Sequence, residues 1–122
     1  MKRKYELLET EGKLFQIRAL HDFGDVKAGD IGGLVEKDMN LSHTGNCWIS
    51  EKAKVYGNAE VYGDAKVCGD AEVYGHALVY GNAKVYGNAE VYGDAKVYGN
   101  AWVYGHALVY GNAKVYGNAW VY

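Results

Sequence analysis

The chain has 122 residues, of which 49% are apolar and 14% aromatic, with 17 glycines, 12 tyrosines and no proline; that is the length of one domain with enough apolar side chains for a core. Thirteen basic against fifteen acidic residues leave a net charge of -2, a balance that speaks against a nucleic-acid binder and against an acidic mimic of one. No stretch reaches the roughly 18 apolar residues of a membrane span, and Met1-Lys-Arg-Lys runs into Tyr5-Glu-Leu-Leu-Glu rather than an apolar leader, so a cytoplasmic protein without a membrane partner is expected.

In chain order, residues 1–34 read as a cap. Lys4 to Glu9, a Thr10-Glu-Gly turn and Lys13 to Leu20 have the pattern of a β-hairpin, which would cover the unpaired backbone groups of whatever follows. Gly29-Asp-Ile-Gly-Gly lacks the spacing and the following helix of a phosphate loop and reads as a tight bend. From Val35 a six-residue rhythm begins, with Leu41 six places on and Met39 in a small inward slot between them. Leu41 to Ile49 is eight residues, which places a two-residue insertion around His43-Thr44.

From Ile49 the rhythm is unbroken. The unit is Val-Tyr-Gly-Asn/Asp/His-Ala-x, with an aliphatic residue at Ile49, Val55, Val61 and every sixth position to Val121, thirteen registers in all. Ala-x-Val-Tyr alternates inward and outward as a strand does, and Gly with Asn, Asp or His supplies a sharp corner. Strands this short cannot bury their Val and Ala face alone and must stack on copies of themselves, three to an 18-residue coil. Ala71 to Glu90 recurs as Ala101 to Trp120 with only Glu72 and Glu90 replaced, by Trp102 and Trp120. Because that 30-residue step is five hexads and not a whole number of coils, the copy lands on different faces, which suits a modular rod better than a face-specific active site.

The unit Val-Tyr-Gly-Asn-Ala-Lys resembles the hexapeptide repeat of the left-handed parallel β-helix. Phe15-Gln-Ile-Arg-Ala-Leu, Asp30-Ile-Gly-Gly-Leu-Val-Glu and Leu41-Ser-His-Thr-Gly-Asn-Cys-Trp resemble the leading part of uncharacterised hexapeptide-repeat proteins of bacteria and their prophages. The resemblance implies an all-β chain, a left-handed parallel β-helix of about five coils over residues 35–122 behind the hairpin cap, and no established activity. It supplies the hand, which periodicity alone does not fix. Many left-handed β-helix proteins are acyl-CoA-dependent acyltransferases with a His base, an extruded loop and a C-terminal helix, and that activity is the sharpest alternative to a structural role.

The residues give that alternative little to work with. His76 and His106 occupy corner slots 30 residues apart, on different edges, so they form no metal ladder; His21 lies in the cap, and His43 beside the insertion is the one candidate base. Glu60, Glu72 and Glu90 share outward slots with lysines, as on a solvated sheet surface. Cys47 falls in an inward slot and Cys68 in an outward one, on opposite sides of the wall, which argues against a disulfide and for a reducing compartment. No metal and no cofactor is expected. Outward tyrosines form ladders on all three faces, enough in themselves to stabilise the wall. Only the face carrying Trp48, Trp102 and Trp120 gathers indoles, so Trp102, Tyr104, Trp120 and Tyr122 form a candidate interaction surface, for lateral contact or sugar stacking. The expected function is a non-catalytic structural or interaction module that associates with itself through this face or its last coil. A phage-encoded protein binding a host protein or glycan is the third reading.

Overall fold

The computed structural model describes residues 3–122, so the first two residues of the expected cap lie outside the described residues. Strands β1 (Tyr5–Leu8) and β2 (Phe15–Ala19) form the antiparallel hairpin, with Tyr5 opposite Ala19 and Leu8 opposite Gln16. β2 also pairs antiparallel with β3 (Ile31–Val35), whose other edge pairs parallel with the next coil, Val35 opposite Val55. One strand therefore belongs to both parts. The expected bend at Gly29-Asp-Ile-Gly-Gly is only half right: the turn is at Ala28-Gly29, while Gly32 and Gly33 are buried inside β3. A Cβ on Gly32 would lie 2.5 Å from the Ile49 carbonyl oxygen, so the pair of glycines permits close passage of one strand across another.

Thirteen two-residue strands follow, from Trp48–Ile49 to Trp120–Val121. They stack parallel into three sheets, and residues on one sheet recur every 18 positions: Ile49, Val67, Val85, Val103 and Val121 on the first, Val55, Val73, Val91 and Val109 on the second, Val61, Val79, Val97 and Val115 on the third. This is a three-sided β-solenoid of about five coils. The strands are shorter than the four residues of Ala-x-Val-Tyr because the chain is already bending at Tyr and Ala. Pairing nonetheless continues round the corners: Tyr56 N–H bonds Val73 O at 3.0 Å and Asn58 N–H bonds Gly75 O at 2.8 Å.

Each corner spans Tyr-Gly-Asn-Ala. Among the described residues of the corners only glycine takes positive φ, 69° at Gly87 for example, apart from Glu51 at 60° in the first coil. A positive angle at the second turn residue alone is the sign pattern of a type II′ turn. No left-handed Asn or Asp is needed in the slot after glycine, which explains why His and Lys also fit it.

Inside the prism Val and Ala alternate at zero exposure from Ala53 to Val103. Each valine so buried contributes roughly 1.5 to 3 kcal/mol. The inward reading fails at one place. Residues 38–40 form a 3-10 turn, which breaks the two-residue alternation, so Met39 is 46% exposed and Asn40 is buried instead. Trp48, expected to face outward, is buried because the cap folds over it and sets Phe23 and Tyr5 edge-on to its ring at 5.3 and 6.5 Å.

Candidate functional site

The insertion builds the most elaborate part of the chain. Pairing of Leu41 with Val61 resumes the coil register, and the chain between Leu41 and Trp48 carries the two extra residues outward as a loop. Its His43 does not have the freedom of a base. Nδ1 accepts the Lys4 backbone N–H at 3.0 Å, and because that N–H can only donate, the ring proton sits on Nε2, 3.0 and 3.1 Å from the two Asp38 carboxylate oxygens. The ring lies flat on Tyr5, 4.1 Å between centroids. Arg3 bridges the same carboxylate at 2.9 Å. Burial raises the Asp38 carboxyl, but the hydrogen bonds from His43 and Arg3 and the Arg3 charge outweigh it and hold the group below its ordinary value.

Two cap side chains complete the seal. The Tyr5 hydroxyl lies 2.5 Å from Leu41 O and 2.7 Å from Asp38 O. Lys4 is 1% exposed, and its Nζ donates to Cys47 O at 2.7 Å, Gly45 O at 3.2 Å and Cys47 Sγ at 3.3 Å. These carbonyls belong to the first coil and have no preceding coil to pair with. Burial raises the Cys47 thiol above its ordinary value, so the thiol is not primed as a nucleophile. Burial also lowers the Lys4 ammonium, but its nitrogen is enclosed and engaged in three bonds. Cys68 is half-buried on the outside, and both thiols are free.

Beside the insertion lies an open groove of about 520 Å³, lined among others by Asp38, Ser42, His43, Thr44, Glu60 and Tyr62. It carries two carboxylates, Glu60 and the Arg3-paired Asp38. The remaining histidines stay apart: His76 and His106 are exposed at corners and His21 is in the cap.

The outward tyrosines stack as ladders, at 4.9, 5.0 and 5.3 Å from Tyr56 to Tyr110 and at 4.7, 5.0 and 5.4 Å from Tyr62 to Tyr116. On the tryptophan face Trp102 stacks on Trp120 at 5.6 Å and Tyr104 on Tyr122 at 5.2 Å, and Lys84 Nζ sits 5.5 Å over the Trp102 ring. The structure thus brings Trp102, Tyr104, Trp120 and Tyr122 into one patch, with Trp120 62% and Tyr122 80% exposed. Ring faces inside a ladder are covered by their neighbours, so the wall presents ring edges and hydroxyls. Open ring faces remain where the columns end, on Trp120 and Tyr122.

On the second face Glu72 and Glu90 are direct neighbours, a like-charge pair that sequence reasoning passed over as ordinary surface. Each accepts a hydrogen bond of 2.8 Å from a tyrosine of the coil before, Tyr56 to Glu72 and Tyr74 to Glu90. The sixteen-residue offset of Glu after Tyr was legible and unused. The roles of Lys4, Tyr5 and Asn40 had no signal in the hexad pattern at all.

A stretch of 47 residues, 38% of this chain, is 45% identical to the "Uncharacterized acetyltransferase YdcK" of Escherichia coli (strain K12). The chain spans only 14% of that protein's length. No protein-family model matches the chain. With the six-residue period and the stacked coils, this similarity fits a hexapeptide-repeat β-helix.

Proposed function

We propose that the chain is a non-catalytic interaction module of the bacterial, prophage-borne kind, and that it associates with a second copy through the Trp102, Tyr104, Trp120 and Tyr122 face. The observation that carries the non-catalytic reading is the locked His43: both ring nitrogens are engaged and its ring is stacked, so it has no lone pair to take a substrate proton. The partner is argued from the patch itself, where two indoles and two phenols stand together on one flat sheet. Two like patches meeting about a two-fold axis cover each other completely. Free Cys47 and Cys68 support a reducing compartment, the cytoplasm.

Light scattering over a concentration series tests the association. The wild-type chain is expected to dimerise and the Trp102→Lys, Trp120→Lys double variant to stay monomeric; a wild type monomeric at high micromolar concentration overturns it. The similarity to a protein named an acetyltransferase favours a second reading, an acyl-CoA-dependent transferase with its acceptor in the His43 groove. Calorimetry with acetyl-CoA separates the two, since saturable binding lost in His43→Ala would establish the second reading.

A further inference from the structure

The third tyrosine ladder is one ring short. Tyr62, Tyr80, Tyr98 and Tyr116 stack in sequence, and the Leu41 to Val61 pairing puts Ser42 where the preceding tyrosine would stand. Ser42 N–H bonds Val61 O at 2.9 Å, so the coil keeps its register and only the ring is missing. The face of Tyr62 turned toward the first coil therefore has no aromatic neighbour, and it opens into the 520 Å³ groove. Met39 and Leu78 give that groove apolar sides, and Glu60 gives it negative charge, the Asp38 carboxylate being paired with Arg3.

We propose that this groove binds a monocyclic aromatic cation, its ring occupying the missing rung against Tyr62 and its ammonium held by the Glu60 carboxylate. The ring chemistry follows from the ladder: in three successive coils of this face the ring stacked on a tyrosine is a phenol, at 4.7 to 5.4 Å, and a ring-sized vacancy in such a column takes up a free ring. The charge follows from Glu60, the lining carboxylate that has no ion pair among the described residues, since Asp38 is bound by Arg3 and His43. Positive charge is further favoured by the negative face of the Tyr62 ring. Glu60 already acts on this ring, since burial, the Tyr80 ring and the Glu60 charge together raise the Tyr62 phenol above its ordinary value.

The starts of the other two ladders are unsuited. Below Tyr56 stands Glu36, whose carboxylate is taken by the Gly57 N–H at 2.8 Å, and Lys13 and Lys54 line the hollow there. There the two lysines offset the carboxylates of Glu36 and Glu72. Below Tyr86 stands Cys68, and the hollow beside it, lined by Asp25, Asp30 and Lys66, does not reach the Tyr86 ring. Of the three, the groove at Tyr62 joins a bare tyrosine face to a carboxylate with no lysine in the lining. This inference is independent of self-association, because the groove lies on a different sheet from the tryptophan patch.

Titration of the full chain with tyramine, phenol and 4-hydroxybenzoate, followed by nuclear magnetic resonance of the Tyr62 ring, provides the test. Tyramine is expected to give a saturable shift at Tyr62 and Ser42 in the millimolar range; phenol should bind about tenfold more weakly, and the anionic benzoate more weakly still. Glu60→Gln should bring tyramine down to the phenol level and leave phenol unchanged. Ser42→Tyr should abolish tyramine binding while raising the melting temperature, which shows the rung filled and the chain folded. The proposal is overturned if tyramine gives no saturable shift at Tyr62, if benzoate binds as well as tyramine, or if a folded Ser42→Tyr chain binds as the wild type does.

Discussion

A methyl group at Gly87 would lie 2.8 Å from the Gly105 nitrogen, on a backbone whose φ is 69°. Clash and strain act together there, so Gly87→Ala is expected to destabilise by at least about 2 kcal/mol, while Asn88→Ala, at the next and ordinary position, should lose less than about 1 kcal/mol. Chemical denaturation of the two variants checks the difference. Asn40 carries a different kind of constraint. Its Oδ1 accepts the Glu36 and Lys37 N–H groups at 3.0 and 2.9 Å, and its Nδ2 donates to Ala59 O at 2.8 Å. Asn40→Leu would strand these buried groups, and a loss of about 2 to 3 kcal/mol is expected in the same assay. Glycine at the corners was readable from the sequence because the need repeats with the period. Asn40 was not, since its partners come from a 3-10 turn that interrupts the period.

At the scale of the strand, the inward and outward slots decide what a charge does. Val91 has zero exposure and Lys96 faces out. Val91→Asp should cost several kcal/mol by burying an unpaired carboxylate, and Lys96→Asp should be nearly silent; equal shifts in melting temperature would contradict the register. The two thiols report the same alternation without mutation. Cys68 should react with a thiol reagent in the native state, and Cys47, buried under Lys4, only after unfolding. The strands, their order and the two-residue insertion were all legible, because a period of six leaves one arrangement that buries every valine. The hairpin was legible as well, but its manner of docking was not. What Lys4 and Tyr5 would reach depended on carbonyls more than thirty residues away, and nothing local in the sequence encodes such a distance.

For the molecule as a whole the tyrosine ladders set an alkaline limit. Burial and the bond to Glu90 push the Tyr74 phenol from its ordinary 10.0 up to about 12, and burial and the bond to Glu72 push Tyr56 up too. Above pH ~10 the unfolded chain releases phenol protons that the folded chain keeps. The resulting stabilisation is therefore complete below pH ~10 and is lost as the pH rises through ~12. Stability measured across that window should fall less steeply in a Tyr56→Phe, Tyr74→Phe double variant, and an unchanged slope would show that these phenols do not couple to folding.

The backbone bonding has a consequence for how the chain opens. Each coil donates to the next seventeen residues on, Lys84 N–H to Ala101 O and Trp102 N–H to Ala119 O, and beyond these immediate neighbours no coil supports another. Such a stack opens one layer at a time from a free end rather than all at once. Near Lys4 the first coil is latched by three bonds to one buried ammonium, while the N–H groups of Trp120 and Tyr122 find no acceptor among the described residues. Deuterium uptake by the 122-residue chain should therefore advance as a front from Val121 back toward Val55, each coil exchanging before the one that precedes it, and a partner seated on the tryptophan face would be read out as the point where that front stops.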